Sequence, residues 1–362
     1  MADIYCDSAA TGANDGTSWT DAYTSIEAAA ILAATAWDTV HISASATYSP
    51  AATLTMTGVG TSSNPAKVIG YNQTGKVNDG TQVVIDGGSS VNNGMVLGTG
   101  QDYFHISNLY FSNFTSEGFR GAATTDGCFM DNVSASGAIV GLAGFRFSVW
   151  NNCHSWGNSS HGWWNVDDRC KLIECSAYDN GGDGFLFNVS KGTMFVNFLC
   201  YDNTLNGVSL SGNSLVVGGA FFSNGGDGID VSRADVTVTG ARLLANGAYG
   251  ITNTSTNLTV LSTYIPAGGE SLANTSGPTN GTLYTMSSSL NLNDLVGTDA
   301  DGGVVDSTTT PPNLNTASTA TLYSSEVDMD GTNKAYKTAG LSPDANSAGG
   351  GVFIPRIRTH NV

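Results

Sequence analysis

The sequence between residues 104 and 265 repeats with a period of about 22 residues, which is in the range of solenoid repeats. One asparagine marks each repeat, at Asn158, Asn180, Asn203, Asn224 and Asn246. Asn113, which lies two periods before Asn158, is assigned to the same column. In each of these five repeats, a glycine lies four residues after the asparagine, and an apolar residue comes directly after that glycine. A second apolar residue lies eight positions before the asparagine. Several columns therefore keep one register, which indicates a repeat architecture.

The length of the repeat limits the architectures that it can form. Helical repeats need about 34 residues or more, and leucine-rich repeats need a leucine framework that is missing here. Short alternating runs separated by Gly, Asn, Asp and Ser are typical of strands and turns. A coil of about 22 residues fits three short strands and three turns, and coils stacked about 4.8 Å apart form a parallel β-helix.

Each column has an expected place in such a solenoid. The apolar columns line the interior, and the asparagines form a ladder at a turn, each side chain bonding its copy on the next coil. We expect the glycine column to supply a positive φ after this turn. Its members are Gly162, Gly184, Gly207, Gly228 and Gly250.

Composition excludes several other classes of protein. Charged residues make up 12% of the 362 residues, which argues against a coiled coil or helical bundle, and 40% hydrophobic residues argue against disorder. The net charge is −17 with 13 Lys and Arg, so we expect no nucleic-acid partner. No apolar run approaches the roughly 18 residues of a membrane span, so we expect no membrane insertion.

The repeat, together with the N-terminal segment, resembles the right-handed parallel β-helix superfamily of pectate-lyase-like proteins. Residues 5–22 resemble the Gly-x-Asp-x-Asn-x-Gly-Thr/Ser motif near the start of such proteins, and 60–71 and 83–87 resemble their first coils. The resemblance covers roughly residues 1–268 and implies an all-β, right-handed solenoid. It says little about function, because this scaffold serves lyases, hydrolases, phage tailspikes and adhesins.

Three regions follow from this interpretation. Residues 1–40 form an N-terminal cap, with a strand and an Ala-rich helix over residues 25–34 that closes the end of the solenoid. Residues 41–268 form the parallel β-helix, and residues 269–362 form a non-repetitive β and loop region with a basic tail. Arg356 and Arg358 in that tail belong either to a frayed end or to an arm that docks onto an acidic subunit or particle.

The N-terminus and the cysteines bear on location and metal binding. Residues 1–5 show neither a basic region nor an apolar region of a signal peptide. Since this fold is usually extracellular and virions are released without secretion, we expect a virion or extracellular location. The six cysteines form no CxxC pair, so we expect buried thiols and no zinc site. No metal or other cofactor is expected; calcium is possible but not indicated.

An aromatic column lies two positions before the asparagines. It comprises Phe111, Trp156, Tyr178, Tyr201 and Phe222, followed by Leu244. Strand alternation alone leaves its direction open, so the column either packs in the core, lies in a subunit interface or forms a platform for glycans.

A second column, two positions after the glycines, is expected to face outward. It contains Trp164, and Gly-Phe-Arg segments upstream suggest that Arg120 and Arg146 join it, with His161 nearby. Lyases of the family use a basic proton abstractor and an arginine, commonly beside calcium carboxylates, whereas no acidic cluster surrounds these residues. They are either a glycan- or partner-binding surface, together with Trp156, Tyr178 and Tyr201, or ordinary surface charges.

Glycoside hydrolysis needs paired carboxylates. Asp183 and Asp227 precede their glycines two coils apart, about 9.6 Å at the usual strand spacing. This separation lies at the outer edge of the inverting range of about 6.5–9.5 Å. Asp230 lies on the same coil as Asp227. These three residues are the catalytic candidates, although aspartate is also an ordinary turn residue.

Two functions of different class remain open. The sequence favours a virion structural β-helix protein, of the decoration, fibre or tailspike-like kind, that presents a glycan- or partner-binding surface. Its partners would be virion or surface proteins, with a homotrimer as one assembly. The alternative is a polysaccharide lyase or glycoside hydrolase acting on an acidic polysaccharide.

Overall fold

The computed structural model describes residues 2–122, 124–164, 169–187, 191–232, 235–254, 257–261 and 263, and the strands within 272–296. The α-helix among these residues, α1, is Ala29–Leu32. The strands are β1 (Asp3–Cys6), β2 (Thr39–Ser43), β3 (Leu54–Met56), β4 (Ala66–Tyr71), β5 (Val83–Asp86), β6 (Met95–Leu97), β7 (Phe104–Ser112), β8 (Glu117–Gly121), β9 (Phe129–Ser136), β10 (Val140–Ala143), β11 (Val149–Asn151), β12 (His154–Trp156), β13 (Trp163–Trp164), β14 (Lys171–Ile173), β15 (Ser176–Tyr178), β16 (Phe185–Phe187), β17 (Lys191–Val196), β18 (Leu199–Tyr201), β19 (Val208–Leu210), β20 (Asn213–Val217), β21 (Ala220–Phe222), β22 (Ile229–Val231), β23 (Asp235–Thr239), β24 (Arg242–Leu244), β25 (Ile251–Asn253), β26 (Asn257–Leu261), β27 (Leu272–Asn274), β28 (Leu283–Tyr284) and β29 (Leu295–Val296).

The strands stack as a parallel solenoid, which confirms the predicted fold class. A typical coil has a first strand such as β14, a second strand such as β15 and a third strand such as β16. First and second strands pair with their copies in one large sheet, and third strands pair in a smaller one. Coils are about 23 residues apart. Backbone hydrogen bonds therefore run along the solenoid axis, from each coil to the next.

The predicted apolar columns line the interior. On the first strands, Trp150, Leu172, Phe195, Val216 and Val238 are buried. On the third strands, Trp163, Phe185, Val208, Ile229 and Ile251 are buried. The six cysteines are also buried, with free thiols. Each coil thus places apolar side chains on those of its neighbours, and the hydrophobic core runs along the solenoid.

The asparagine ladder forms as predicted. The Nδ2 groups of Asn158, Asn180, Asn203 and Asn224 each donate to Oδ1 of the next asparagine, over 2.8–2.9 Å. Each Oδ1 also accepts the backbone N–H of the preceding asparagine, over 3.2–3.3 Å. The side chains are buried, so the ladder satisfies polar groups that water does not reach.

The glycine column has a different cause from the one expected. Gly162, Gly184 and their copies do not adopt positive φ; the residue before each ladder asparagine does so, for example Gly157 and Asp179. A Cβ on Gly184 would lie 2.7 Å from Nδ2 of Asn203 and 2.7 Å from the carbonyl oxygen of Gly207. Glycine is required here because the turn packs directly against the ladder of the next coil.

Upstream of the regular repeats, the segment that contains Phe111 and Asn113 is aligned one residue away from the position that the repeat predicts. Phe111 pairs with Ala135 on the next coil, and Ala135 pairs in turn with Ser155 rather than with Trp156. The interval from Phe111 to Ser155 is one residue shorter than the interval from Asn113 to Asn158. Phe111 is therefore buried in the core and outside the aromatic column. Asn113 precedes the ladder position, and its Nδ2 donates to Asp86.

The two ends of the solenoid also differ from expectation. The capping helix over 25–34 is not confirmed, because only α1 forms and its N-cap, Ala28, provides no side-chain hydrogen bond. Strand β1 pairs with β2 as a first rung. At the other end, β27, β28 and β29 continue the parallel pairing beyond residue 268. The rest of the region 269–362, with Arg356 and Arg358, lies outside the described residues. No helix within the described part is long and apolar enough to cross a membrane.

Removal of one ladder side chain should destabilise the solenoid. We expect Asn203→Ala to lower the free energy of unfolding by about 2–4 kcal/mol, because it removes the Oδ1 that accepts from both Nδ2 and the backbone N–H of Asn180, and one of the two donors to Oδ1 of Asn224. Chemical denaturation measures this change. The control Asn151→Ala removes a half-buried bond to Asp131 and should cost less than about 1 kcal/mol. Equal losses in both variants would contradict the role of the ladder.

Candidate active site

Two columns of side chains run along the outside of the smaller sheet, which we call the third-strand face. The first column, just before the glycines, consists of Glu117, Val140, His161, Asp183, Asn206, Asp227 and Tyr249. The second column, on the third strands, consists of Arg120, Ala143, Trp164, Leu186, Ser209, Asp230 and Thr252. Residues predicted from separate repeats are thereby placed on one face.

The first column contains a second polar ladder. Nδ1 of His161 accepts the backbone N–H of Asp183 over 3.1 Å, and Oδ1 of Asp183 accepts that of Asn206 over 2.9 Å. Asn206 and Asp227 continue the pattern over 2.8 and 2.9 Å, with Tyr249 as the last donor. Sequence reasoning missed this ladder because its residue types differ. The shared signal is a hydrogen-bond acceptor before each glycine.

Three carboxylates share this part of the face. Asp183 is 5% exposed, and burial raises the pKa of its carboxyl group despite the hydrogen bond from Asn206. Asp230 is half-buried, and its pKa is raised to about 6, first by burial and then by the charges of Asp227 and Asp183. The effect of the Asp227 and Asp183 charges on Asp230 indicates that the three predicted catalytic candidates are brought into one electrostatic neighbourhood.

Asp230 differs from the other two carboxylates in its partners. Asp183 and Asp227 each accept a backbone N–H in the ladder. Among the described residues, none donates a hydrogen bond to the carboxyl group of Asp230. Its neighbours in the column are Ser209, whose hydroxyl accepts from Asn206, and Thr252. Of the three carboxyl groups, that of Asp230 therefore has no hydrogen-bond donor among the described residues and is available to a ligand.

The predicted arginines occupy different places. Arg120 lies in the second column, as expected, and its guanidinium is 3.4 Å from Oε2 of Glu117. Arg146 does not join the column, because Ala143 holds that rung. Arg146 lies in the turn before β11, where its Nε and Nη2 bind the two carboxylate oxygens of Asp126 over 2.9 and 3.1 Å. The second column thus places no arginine beside Asp183, Asp227 or Asp230.

The aromatic column lies outside the solenoid, on the second strands. Its inward neighbours Ser155, Ala177 and Cys200 are the buried ones. The rings of Trp156, Tyr178, Tyr201 and Phe222 stack with centroids 4.8–5.7 Å apart and interplanar angles of 2–4°. Tyr110, which the sequence did not suggest, extends the stack below Trp156. The rings cover one another's faces and present mainly edges, so binding by Trp156, Tyr178 and Tyr201 stays a prediction.

The described residues contain no group of three or more His, Cys, Asp or Glu side chains placed to hold a metal ion. Asp183, Asp227 and Asp230 are thus not arranged as a metal-binding group, although the charges of Asp227 and Asp183 help to raise the pKa of Asp230.

Comparison with solved structures finds proteins of the same architecture. A pectate lyase is 16% identical over 82% of this chain and 78% of its own, with a TM-score of 0.51. The A-module of a mannuronan C-5 epimerase of Azotobacter vinelandii is 16% identical over 78% of this chain and 94% of its own, with a TM-score of 0.47. A lacto-N-biosidase of Eubacterium ramulus is 10% identical over 79% and 68%, with a TM-score of 0.46.

No protein-family model matches the chain, and no curated protein matches it. The strand pairing and the likeness to the pectate lyase agree on the architecture. The chain is thus a right-handed parallel β-helix protein with the pectate-lyase-like fold.

Proposed function

We propose that this protein hydrolyses glycosidic bonds in a polysaccharide, with Asp230 as the general acid and Asp183 as the general base. The observation that carries the proposal is the state of Asp230. Its carboxyl group is half-buried, receives no hydrogen bond from the described residues, and has a pKa raised to about 6 by burial, Asp227 and Asp183. A carboxyl group with a pKa of about 6 keeps its proton in mildly acidic solution and can donate it to a leaving group.

The axial offset of the two carboxylates lies just outside the inverting range of about 6.5–9.5 Å and is farther from the retaining one. Asp183 and Asp230 lie two coils apart, about 9.6 Å along the axis. Retaining enzymes hold their carboxylates only about 5–5.5 Å apart, while inverting enzymes leave room for a water. Asp230 donates its proton to the glycosidic oxygen as the bond to the anomeric carbon breaks. A water attacks that carbon and gives its proton to Asp183.

Asp227 has a supporting role in this scheme. It lies on the same coil as Asp230, and its charge is among the causes of the raised pKa of Asp230. Its own Oδ1 is held by the backbone N–H of Tyr249. Asp227 therefore keeps Asp230 protonated at a higher pH than burial alone would achieve.

The charge of the site favours an uncharged substrate. Three carboxylates share the face, and the chain has a net charge of −17, so a polyanion would be repelled. This differs from the acidic polysaccharide expected for an enzyme on sequence grounds. The carbohydrate-active names of the similar structures agree with a polysaccharide as partner. The comparisons offer no support for a virion role or a trimer, and these, like the location, stay predictions.

Replacement of the acid should abolish hydrolysis of natural glycans. We expect Asp230→Asn to lower kcat on neutral polysaccharides by about 100-fold or more, because the leaving oxygen loses its proton donor. Aryl glycosides with good leaving groups should be affected much less. Asp183→Asn should be impaired on both kinds of substrate. New reducing ends measure the rate, and NMR of the first product reports the anomeric configuration.

The exposed Asp202, on the coil between Asp183 and Asp227, offers a matched control. Asp202→Asn removes the same charge outside the face and should keep wild-type activity. Retention of activity in Asp230→Asn would contradict the proposal. Release of unsaturated sugars, detected by ultraviolet absorbance, from a polyuronate would show a lyase instead.

The raised pKa of Asp230 should also appear in the stability of the protein. Because the folded-state pKa of about 6 exceeds the ordinary aspartate value of 3.8, the folded state holds the proton more tightly. The tighter binding of the proton by folded Asp230 stabilises the protein below about pH 4, and this stabilisation is lost as the pH rises through 6. Asp230→Asn should therefore be more stable than the wild type at pH 8, by about 1–2 kcal/mol after allowing for partial exposure, and equally stable at pH 4.

Thermal unfolding at pH 4, 6 and 8 measures this difference. Asp202→Asn controls for the loss of one negative charge from an acidic chain. A constant difference between Asp230→Asn and the wild type at all three pH values would contradict a raised pKa at Asp230.

A further inference from the structure

We propose that His161 and Trp164 form a separate sugar-binding subsite, in which a neutral His161 donates a hydrogen bond from Nε2 to a sugar hydroxyl. The inference deepens the proposed function and rests on a polysaccharide substrate. Both residues lie on one coil of the third-strand face. That coil is three rungs from the coil of Asp230, about 14 Å along the axis. It is one rung from the coil of the proposed base Asp183, whose backbone N–H bonds to His161, so the subsite would hold a sugar unit at the Asp183 end of the site.

The ring of His161 is fixed by the next coil. Its Nδ1 accepts the backbone N–H of Asp183 over 3.1 Å, as a rung of the polar ladder. A Cβ on Gly182 would lie 2.9 Å from Nδ1 and 3.0 Å from Cε1, so the ring packs closely against this glycine. Because Nδ1 acts as an acceptor, the proton of the neutral imidazole resides on Nε2. Backbone groups of the neighbouring coil thus set both orientation and tautomer.

The Nε2 group is available to a ligand. Among the described residues, no group hydrogen bonds to Nε2 of His161. The carboxylate of Asp183 lies nearest to the other nitrogen, at 3.7 Å from Nδ1. The side chain of His161 is 20% exposed. A fixed, half-buried donor with no partner among the described residues suits a hydroxyl oxygen, which accepts without carrying charge.

Trp164 supplies the apolar part of the same subsite. Its neighbour Trp163 points inward and donates its indole N–H to the carbonyl oxygen of Ser176 over 3.0 Å. Trp164 is the outward member of the pair and is 37% exposed. Within the described part of the chain, no aromatic ring stacks on Trp164, unlike the outer stack of Trp156 and Tyr178. With 37% of its surface exposed, Trp164 can pack against the C–H groups of a sugar ring.

Binding without turnover tests the subsite. Calorimetric titration would use Asp230→Asn protein and a panel of neutral hexasaccharides, namely cellohexaose, xylohexaose, maltohexaose and N-acetylchitohexaose. In that background we expect Trp164→Ala and His161→Leu each to weaken binding by about tenfold. His161→Gln should bind within about threefold of its parent, because an amide keeps an acceptor for Asp183 and a donor for the sugar.

A matched control and a spectroscopic readout separate binding from folding. Trp37→Ala removes another exposed tryptophan, 53% exposed and outside the face, and should leave affinity unchanged. Nitrogen NMR of His161 in the free protein should show the Nε2–H tautomer. A proton on Nδ1, or unchanged affinity in Trp164→Ala, or no binding by any member of the panel, would overturn the subsite.

The outcomes distinguish this proposal from the proposed function. Affinity that depends on Trp164 and His161, in a wild-type protein that cleaves no glycan, would sustain the subsite and reject hydrolysis. Cleavage by the wild type with a KM that Trp164→Ala does not change would reject the subsite and sustain hydrolysis.

Discussion

Every part of this molecule depends on the parallel pairing of each coil with the next. In this arrangement, a residue lies directly above and below the residues at the same position in neighbouring coils. A side chain must therefore pack with its own column over a spacing of about 4.8 Å. Apolar residues meet this condition by stacking in the interior. Buried polar residues meet it only where each supplies both a donor and an acceptor, as the asparagines do through Nδ2 and Oδ1.

The candidate active site uses the same constraint in a looser form. In the column of His161, Asp183 and Asp227, the side chains accept backbone N–H groups, so identical residues are not needed. This freedom allows groups of different chemistry to stand on successive coils in fixed orientations. The carboxyl group of Asp230 lies beside this ladder without a hydrogen bond among the described residues, and burial with like charges raises its pKa. A rigid scaffold thus supports one group in an unfavourable electrostatic environment, as catalysis often requires.

The repeat made most of the fold predictable, since regular columns report directly on a regular backbone. The Asn203 ladder, the buried position of Phe195 and the face shared by Asp183 and Asp230 followed from spacing alone. Prediction failed where coil length changed. The coil from Phe111 to Ala135 is longer than the regular repeat, and the coil from Ala135 to Ser155 is shorter. Because their combined length is close to two regular periods, the sequence did not reveal that Phe111 is aligned with an inward position.

Other features depended on contacts between coils, which a sequence pattern does not contain. The glycine at 184 is needed for the close approach of Asn203, whereas the positive φ falls on Asp179, before the asparagine. Arg146 follows a Gly-Phe pair like that before Arg120, but its carboxylate partner Asp126 holds it in a turn. The exposure of Trp164 and the Nε2 of His161, which has no partner in the described part of the chain, likewise emerge only when the neighbouring coils are in place.

The proposed general acid requires that the carboxyl group of Asp230 keep its proton up to a pH of about 6. Carbon NMR of the aspartate carboxyl groups, with Asp230 assigned by its absence in Asp230→Asn, measures this property directly as a function of pH. The account predicts that the Asp230 signal titrates with a midpoint near 6. A midpoint near the ordinary aspartate value of 3.8 would contradict it, and would leave the third-strand face without a general acid.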